Sequence, residues 1–372
     1  MTNFATTERV AQEGDNLRVS KSLIAERIAT IRTNRTSFGA YVFRSDQRKW
    51  LARGLGDFPP PHLLVSPLID LMTTSQIHLL SSLSVVDIDG ADAAVILHNL
   101  TTNDVKSLAV GQGCESFVTD VRGKTLGHFH IFRRENGFRL IGAAGVAEKR
   151  QSETFAAHAD RYTIREDAVV TIRDDEFVGF LFSSLPSAPH EDPLTWWDGS
   201  IGETAGATYR VRWLNDASWM VLIERSDLDA AMASVNEGLT EPLGDEASFH
   251  HARTVAGFPW YGIDIDDSNL PQEINRDEWT ISFTKGCYLG QETVARLDAL
   301  GQVQKKRVRL SIEGTLPEAG TTLESEGKTV VRLTSVTKVD DQQGLAIGFA
   351  RRTHFDPGAT ATCEGCIATV IE

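Results

Sequence analysis

A thiol, an ammonium group and a carboxylate stand within eight residues of one another in the run Lys285-Gly-Cys-Tyr-Leu-Gly-Gln-Glu292. Cysteine is a nucleophile only as thiolate, a form favoured by a neighbouring cation or a helix N-terminus. Lys285 lies two residues from Cys287. The apolar run Trp279 to Phe283 reads as a strand leading into this segment, and Val294, Leu297 and Leu300 keep a helical period beyond it. Lys285, Gly286 and Cys287 are therefore expected on a strand-to-helix turn, beside free N–H groups that suit an anion. Gly286 and Gly290 permit close backbone approach, and Gln291 and Glu292 fall in the first helical turn, where an acid suits the dipole. A plainer reading fits the same residues, with Cys287 a small buried hydrophobe and Glu292 a helix-start acid.

Other groups carry weaker signals. Cys363-Glu-Gly-Cys366 has the spacing of a redox pair or half a zinc site, but no second pair lies near it, and it reads as a hairpin with two incidental thiols. His128-Phe-His130 puts two imidazoles on one strand face. Without a third ligand nearby in the sequence, an ordinary strand face is the expectation, and no metal site is assigned. His250 and His251 sit on a helical pattern. In Lys305-Lys-Arg-Val-Arg309, alternation places Lys305, Arg307 and Arg309 on one face. That face is either a solvated strand edge or a counter-ion for an acidic ligand.

The elements that must position these groups follow from periodicity. Val85–Ile88, Ser116–Val121, Thr125–Phe132, Phe138–Gly142 and Ala168–Arg173 read as strands, with helices over Ala91–Leu100 and Ala147–Arg161. The rhythm returns with strands at Tyr209–Leu214 and Trp219–Glu224, a helix capped by Ser226 and another over Asp245–Val255. After about Gln304 the chain turns to short β runs at Val308–Ile312, Lys328–Val339, Leu345–Arg351 and Cys366–Ile371. Ser20–Ile31 reads as a helix, and the three prolines of Phe58–His62 as an extended connector. The expected class is α+β: two related α+β domains around a central pocket, plus a small C-terminal β-barrel. The expected boundaries are 1–75 for an N-terminal extension packing on the body, 76–165, 166–303 and 304–372.

Composition bounds the function. The 372 residues carry a formal charge of −14, are 41% hydrophobic and include four cysteines. The acidic balance argues against direct nucleic-acid or anionic-membrane binding. No apolar run spans a bilayer, no secretory signal is visible and cysteine is sparse, so the cytoplasm is the expected compartment.

The run Lys285–Glu292 resembles the K-G-C-[YF]-x-G-Q-E signature of the YgfZ-type folate-binding proteins, a branch of the glycine-cleavage T-protein (aminomethyltransferase) superfamily. Arg253-x-x-x-Gly257-Phe-Pro-Trp-Tyr-Gly-Ile-Asp264 is similar to a second run of that family. Thr293-Val-Ala-Arg296, Gly301-Gln-Val303 and the segment Asp89 to Gly111 extend the match, which covers about residues 80 to 370. The resemblance implies tetrahydrofolate as cofactor, and iron–sulfur enzymes, including tRNA-modifying ones, as client partners. It implies Cys287 as the signature thiol, and Lys285, Gly286, Tyr288, Gly290, Gln291, Glu292, Arg253, Tyr261, Asp264, Arg296 and His128 around the folate. Aminomethyltransferases carry an acidic pair where Gly127 and His128 stand here, and a pterin-gripping glutamate where the turn has Leu214-Asn-Asp-Ala217. A binding role is therefore expected before aminomethyl or one-carbon transfer, with a scaffold that has lost its ligand as a further alternative.

Overall fold

The computed structural model describes residues 76–146, 149–184, 194–238, 242–301 and 303–372. The expected Ser20–Ile31 helix, the Phe58–His62 connector and the 1–75 extension as a whole lie outside the described residues.

Alternation of side chains builds the first sheet. Strands β2 (Leu83–Asp89), β3 (Gly113–Thr119), β4 (Thr125–Arg133), β5 (Gly137–Ala143) and β8 (Val169–Ile172) pair antiparallel in the order β3-β4-β5-β2-β8. On one face Val86, Ile88, Phe129 and Ile131 pack against Ile96 and Leu97 of α1 (Ala93–Leu100) and Phe155 of α2 (Gln151–Asp160). A small ribbon, β6 (Gly145–Val146) with β7 (Lys149–Arg150), leads into α2.

The second sheet runs β1-β9-β12-β11-β10, from Ile77–Leu80, Phe177–Phe182, Trp219–Glu224, Thr204–Arg210 and Trp196–Ile201. Its outer face holds Val178, Phe180, Val221 and Ile223 under Ala231 and Val235 of α3 (Leu228–Gly238). Its inner face, with Leu181, Met220 and Leu222, meets Leu83, Val85, Phe117 and Phe132 of the first sheet in one shared core. The body is thus two sheets face to face, with helices outside.

The two sheets share one strand order once β8 is matched with β1 and β2–β5 with β9–β12. Each half lends its leading strand to the other: β1 precedes β2 in sequence but pairs with β9, whereas β8 precedes β9 and pairs with β2. This reciprocal exchange is the physical form of the two related halves expected from element order.

Strands β13 (Lys305–Gly314), β14 (Thr322–Ser325), β15 (Lys328–Lys338), β16 (Gln343–Arg351), β17 (Thr360–Cys363) and β18 (Cys366–Val370) close into a barrel in the order β13-β16-β15-β14-β17-β18. Alternation in β15 sends Val331 and Leu333 inward, and a bulge after Leu333 brings Val336 against the same core. The barrel, the mixed α/β body and their order along the chain agree with the expected class.

Several local expectations are corrected. Trp279 to Phe283 is not a strand. It comprises the end of the short helix α5 (Asp277–Thr280) and a loop whose polar groups bond to the turn after α1. Ser226 does not cap α3, because a 3₁₀ turn over Arg225–Asp227 precedes that helix. The two thiols of Cys363 and Cys366 are joined as a disulfide.

Candidate functional site

The loop before α6 (Gln291–Leu300) is held from its own basic residue. Lys285 is only 7% exposed, and its Nζ donates to the carbonyls of His98 (2.7 Å), Thr101 (2.6 Å) and Asn103 (2.9 Å). An ammonium has three N–H bonds, so all are spent on the carbonyl end of α1, where the helix dipole is negative. Tyr288 covers the ammonium, which lies 4.8 Å from the ring centre. Burial pushes Lys285 down to about 7, against the pull of Asp104. The backbone is tied at the same place: Leu289 N–H donates to Asn99 O at 2.9 Å, and Thr119 Oγ1 donates to Leu289 O at 2.7 Å.

Gly290 touches the β3–β4 turn so closely that a Cβ would sit 2.5 Å from Asp120 O and Gly123 Cα, at a φ of +80°. Cys287 is exposed between these anchors, and its thiol makes no hydrogen bond among the described residues. It lies in the loop, four residues ahead of Gln291, and not on the first turn of the helix. Gly286 and Glu292 are exposed, Gln291 is half-buried and Arg296 lies on the outer face of α6.

Arg253, on α4 (Glu246–Ala256), and Asp264 form a separate buried pair. Arg253 NH1 meets Asp264 Oδ2 at 2.7 Å, NH2 donates to Ser335 Oγ at 3.0 Å, and Ser335 Oγ donates to Asp264 Oδ1 at 2.7 Å. The pair therefore fastens the loop after α4 to barrel strand β15. Tyr261, buried in the shared core, stands beside this loop.

The third cluster contains a residue that the sequence reading did not select. The inner face of β4 carries His128 and His130, as alternation requires, and Glu115 of β3 reaches them with its side chain fully buried. His128 Nε2 bonds Glu115 Oε1 at 2.7 Å, which places the imidazole proton on that nitrogen. Arg276 grips both oxygens, Nε and NH2 each at 2.6 Å. Burial works against the Glu115 charge, but Arg276 and His128 outweigh it and hold the carboxyl well below the usual carboxylate range. So a carboxylate does stand beside His128, supplied by the neighbouring strand in place of the Gly127–His128 position. It is consumed by a bidentate guanidinium and is not a free base. Glu115 was missed because the expected strand began at Ser116; its signal was a lone acid at an inward-facing strand position.

In front of this cluster lies a cleft of about 240 Å³ lined by Arg212, Asn215, Asp216, Phe258, Trp279 and Arg307, among others. Arg276 also lines it, stacked on Phe258 at 4.7 Å, while Arg212 lies 3.8 Å over the Trp279 ring. Phe258 in turn stacks on His128 at 5.6 Å, so His128 is one layer behind the wall. Arg307, 2% exposed, donates to Ile274 O and Gly257 O at 2.8 and 2.9 Å, and the basic strand face is thereby turned onto the body and not left to solvent. Neither Lys285–Glu292 nor Arg253, Tyr261, Asp264 or Arg296 lines this cleft. An aromatic wall, cationic groups and two polar rim residues suit a planar ligand with an anionic arm.

The fold defined by these layers is that of a solved glycine cleavage system aminomethyltransferase T from Bartonella henselae, with a TM-score of 0.67 over 83% of this chain and 88% of that one at 16% identity. No protein-family model matches the chain. In sequence it is similar to the YgfZ-type proteins: to the tRNA-modifying protein YgfZ of Aliivibrio fischeri, 26% identical over 78% of this chain and 88% of that protein, and to that of Shigella dysenteriae, 28% identical over 72% and 80%. A chloroplastic protein of Arabidopsis thaliana is 25% identical over 78% of this chain and 69% of its own length. No helix among the described residues is long and apolar enough to cross a membrane.

Proposed function

We propose that this protein binds tetrahydrofolate and assists the maintenance of iron–sulfur clusters in client enzymes, including enzymes that modify tRNA. The observation that carries the reading is the cleft itself. Trp279, with Arg212 over its ring, offers an aromatic wall to a pterin, Asn215 and Asp216 stand at the turn that carries the pterin-gripping glutamate in aminomethyltransferases, and Arg212 suits a carboxylate of the tail. The residues therefore fit the cofactor, which when bound supplies a one-carbon carrier. The chain's own share is to bind and orient it and to present the Cys287 thiol on a loop anchored by Lys285. The formal charge of −14 disfavours contact with tRNA itself, so the link to tRNA runs through the clients. Glu115, locked in its ion pair with Arg276, is not the free carboxylate that aminomethyl transfer would need at His128.

Calorimetric titration of the full chain with tetrahydrofolate tests the pocket. Saturable binding is expected, weakened about tenfold or more by Arg212→Ala and by Trp279→Ala; absence of heat at near-millimolar ligand overturns the reading. In cells, Cys287→Ala is expected to lower the activity of iron–sulfur client enzymes, and unchanged activity removes the thiol from the mechanism.

A further inference from the structure

The barrel carries chemistry that the folate reading does not use. Cys363 and Cys366 end β17 and begin β18, face each other as a register pair, and are joined across the Glu364-Gly365 turn with their Cα atoms 5.2 Å apart. The two sulfurs are not equivalent. Cys366 is only 5% exposed and packs in the barrel core, whereas Cys363 is half-buried at its edge and Glu364 and Gly365 are exposed. Both cysteines line an open groove of about 580 Å³, together with Gly314, Gly365 and Ile367, the last 52% exposed.

Stability does not explain the bond. It closes a loop with only two residues between the cysteines, where a cross-link removes the least freedom from the unfolded chain. The hairpin is held without it: β18 pairs with β13 from Gly314↔Cys366 to Leu310↔Val370, and Thr315 N–H donates to Gly365 O at 2.8 Å. Opening the bond therefore leaves the barrel closed. Bonded sulfurs are also unavailable as metal ligands.

We propose that Cys363–Cys366 is a redox site that exchanges its disulfide with a dithiol segment of a partner protein seated in this groove. A partner thiolate attacks Cys363 Sγ, the accessible sulfur. The bond to Cys366 breaks, and Cys366 leaves as thiolate and takes a proton. The second partner thiolate then attacks its own sulfur in the mixed disulfide and releases Cys363, which is protonated. Two electrons and two protons pass to the cysteine pair, and the partner becomes a disulfide.

The test uses the full chain and does not depend on tetrahydrofolate. The protein is equilibrated in glutathione buffers of stepped ratio, alkylated and weighed, with Cys287→Ala as background so that the other exposed thiol does not count. The expected result is a gain of two alkyl groups across the series with unchanged circular dichroism. A thioredoxin whose second motif cysteine is serine serves as the protein probe. It is expected to form a mixed disulfide on Cys363, at least about tenfold in excess of any on Cys366. A bond that survives excess reduced glutathione, a pair that never oxidises at any ratio, or an adduct on Cys366 each overturns the proposal. The first two readings come from unaltered Cys363 and Cys366, and circular dichroism checks that the Cys287→Ala background is folded.

Discussion

At the scale of single residues, Lys285 shows how a motif residue can act through structure. Its neighbour Cys287 suggests a cation tuning a thiolate, yet its three donors are taken by the carbonyls at the end of α1. Lys285→Met keeps the length of the side chain and leaves those buried carbonyls without a partner. The expected loss is about 2–4 kcal/mol of stability in urea unfolding. The rate of Cys287 alkylation at neutral pH is expected to hold or rise as the loop loosens; a rate that falls with stability intact would return Lys285 to the role of thiol activator. The sequence exposed the run but not this use, because the accepting carbonyl of His98 lies 187 residues away. The Glu115–Arg276 pair, 161 residues apart, was hidden for the same reason. Spacing reveals partners only within a turn or a hairpin; Glu115 and Arg276 meet through the packing of β3 on α5, and Lys285 and His98 through the packing of the loop before α6 on the end of α1.

At the scale of elements, legibility followed local hydrogen bonding. The barrel strands announce themselves by alternation because each is half-buried, and three of the six seams, β14–β15, β15–β16 and β17–β18, join neighbours in the sequence. Trp279 to Phe283 misled because aromatic and β-branched residues favour strands, whereas here the backbone bonds go elsewhere: Ser282 N–H donates to Thr102 O at 3.0 Å, and Thr280 O accepts from Thr102 Oγ1 at 2.6 Å. The glycines of the loop were legible as glycines but not as contacts. Gly290 is the one whose absence of a side chain is required by the fit of two elements, the loop before α6 and the β3–β4 turn. Gly290→Ala is expected to cost about 2–4 kcal/mol, from left-handed backbone plus overlap with backbone atoms that cannot rotate away. Gly301 is the control, since it also has positive φ, at +60°, but nothing within 4 Å of a Cβ. Gly301→Ala should cost only about 1–2 kcal/mol, and equal losses at the two positions in thermal unfolding would refute the close-contact account.

At the scale of the whole molecule, burying the seam between the sheets and the barrel fixes how the fold responds to acid. Three imidazoles in the fold take up protons less readily than free ones. Burial pushes His130 down to about 3, and burial with the nearby Arg253 pushes His250 down to about 4; His98, desolvated and beside Lys285, is also pushed down to about 4. An unfolded chain protonates these groups below their ordinary value of 6.5. Between pH 6.5 and about 4 the unfolded state therefore binds more protons, and stability must fall as pH falls. Glu115 adds to this with the same sign: its folded value lies well below 4.5, so stability present above pH 4.5 is lost as pH drops toward that folded value. Asp277, raised by burial to about 6, opposes the trend, because the folded state then holds the extra proton between 6 and 3.8. One opposing group against three histidines leaves a net loss. The midpoint of urea unfolding is expected to decline steadily from pH 7 to 4.5, and His130→Gln, which cannot titrate, should flatten the slope even if it lowers the midpoint at pH 7. A midpoint that is level between pH 7 and 5 would mean that these imidazoles take up protons in the folded state as readily as in the unfolded one.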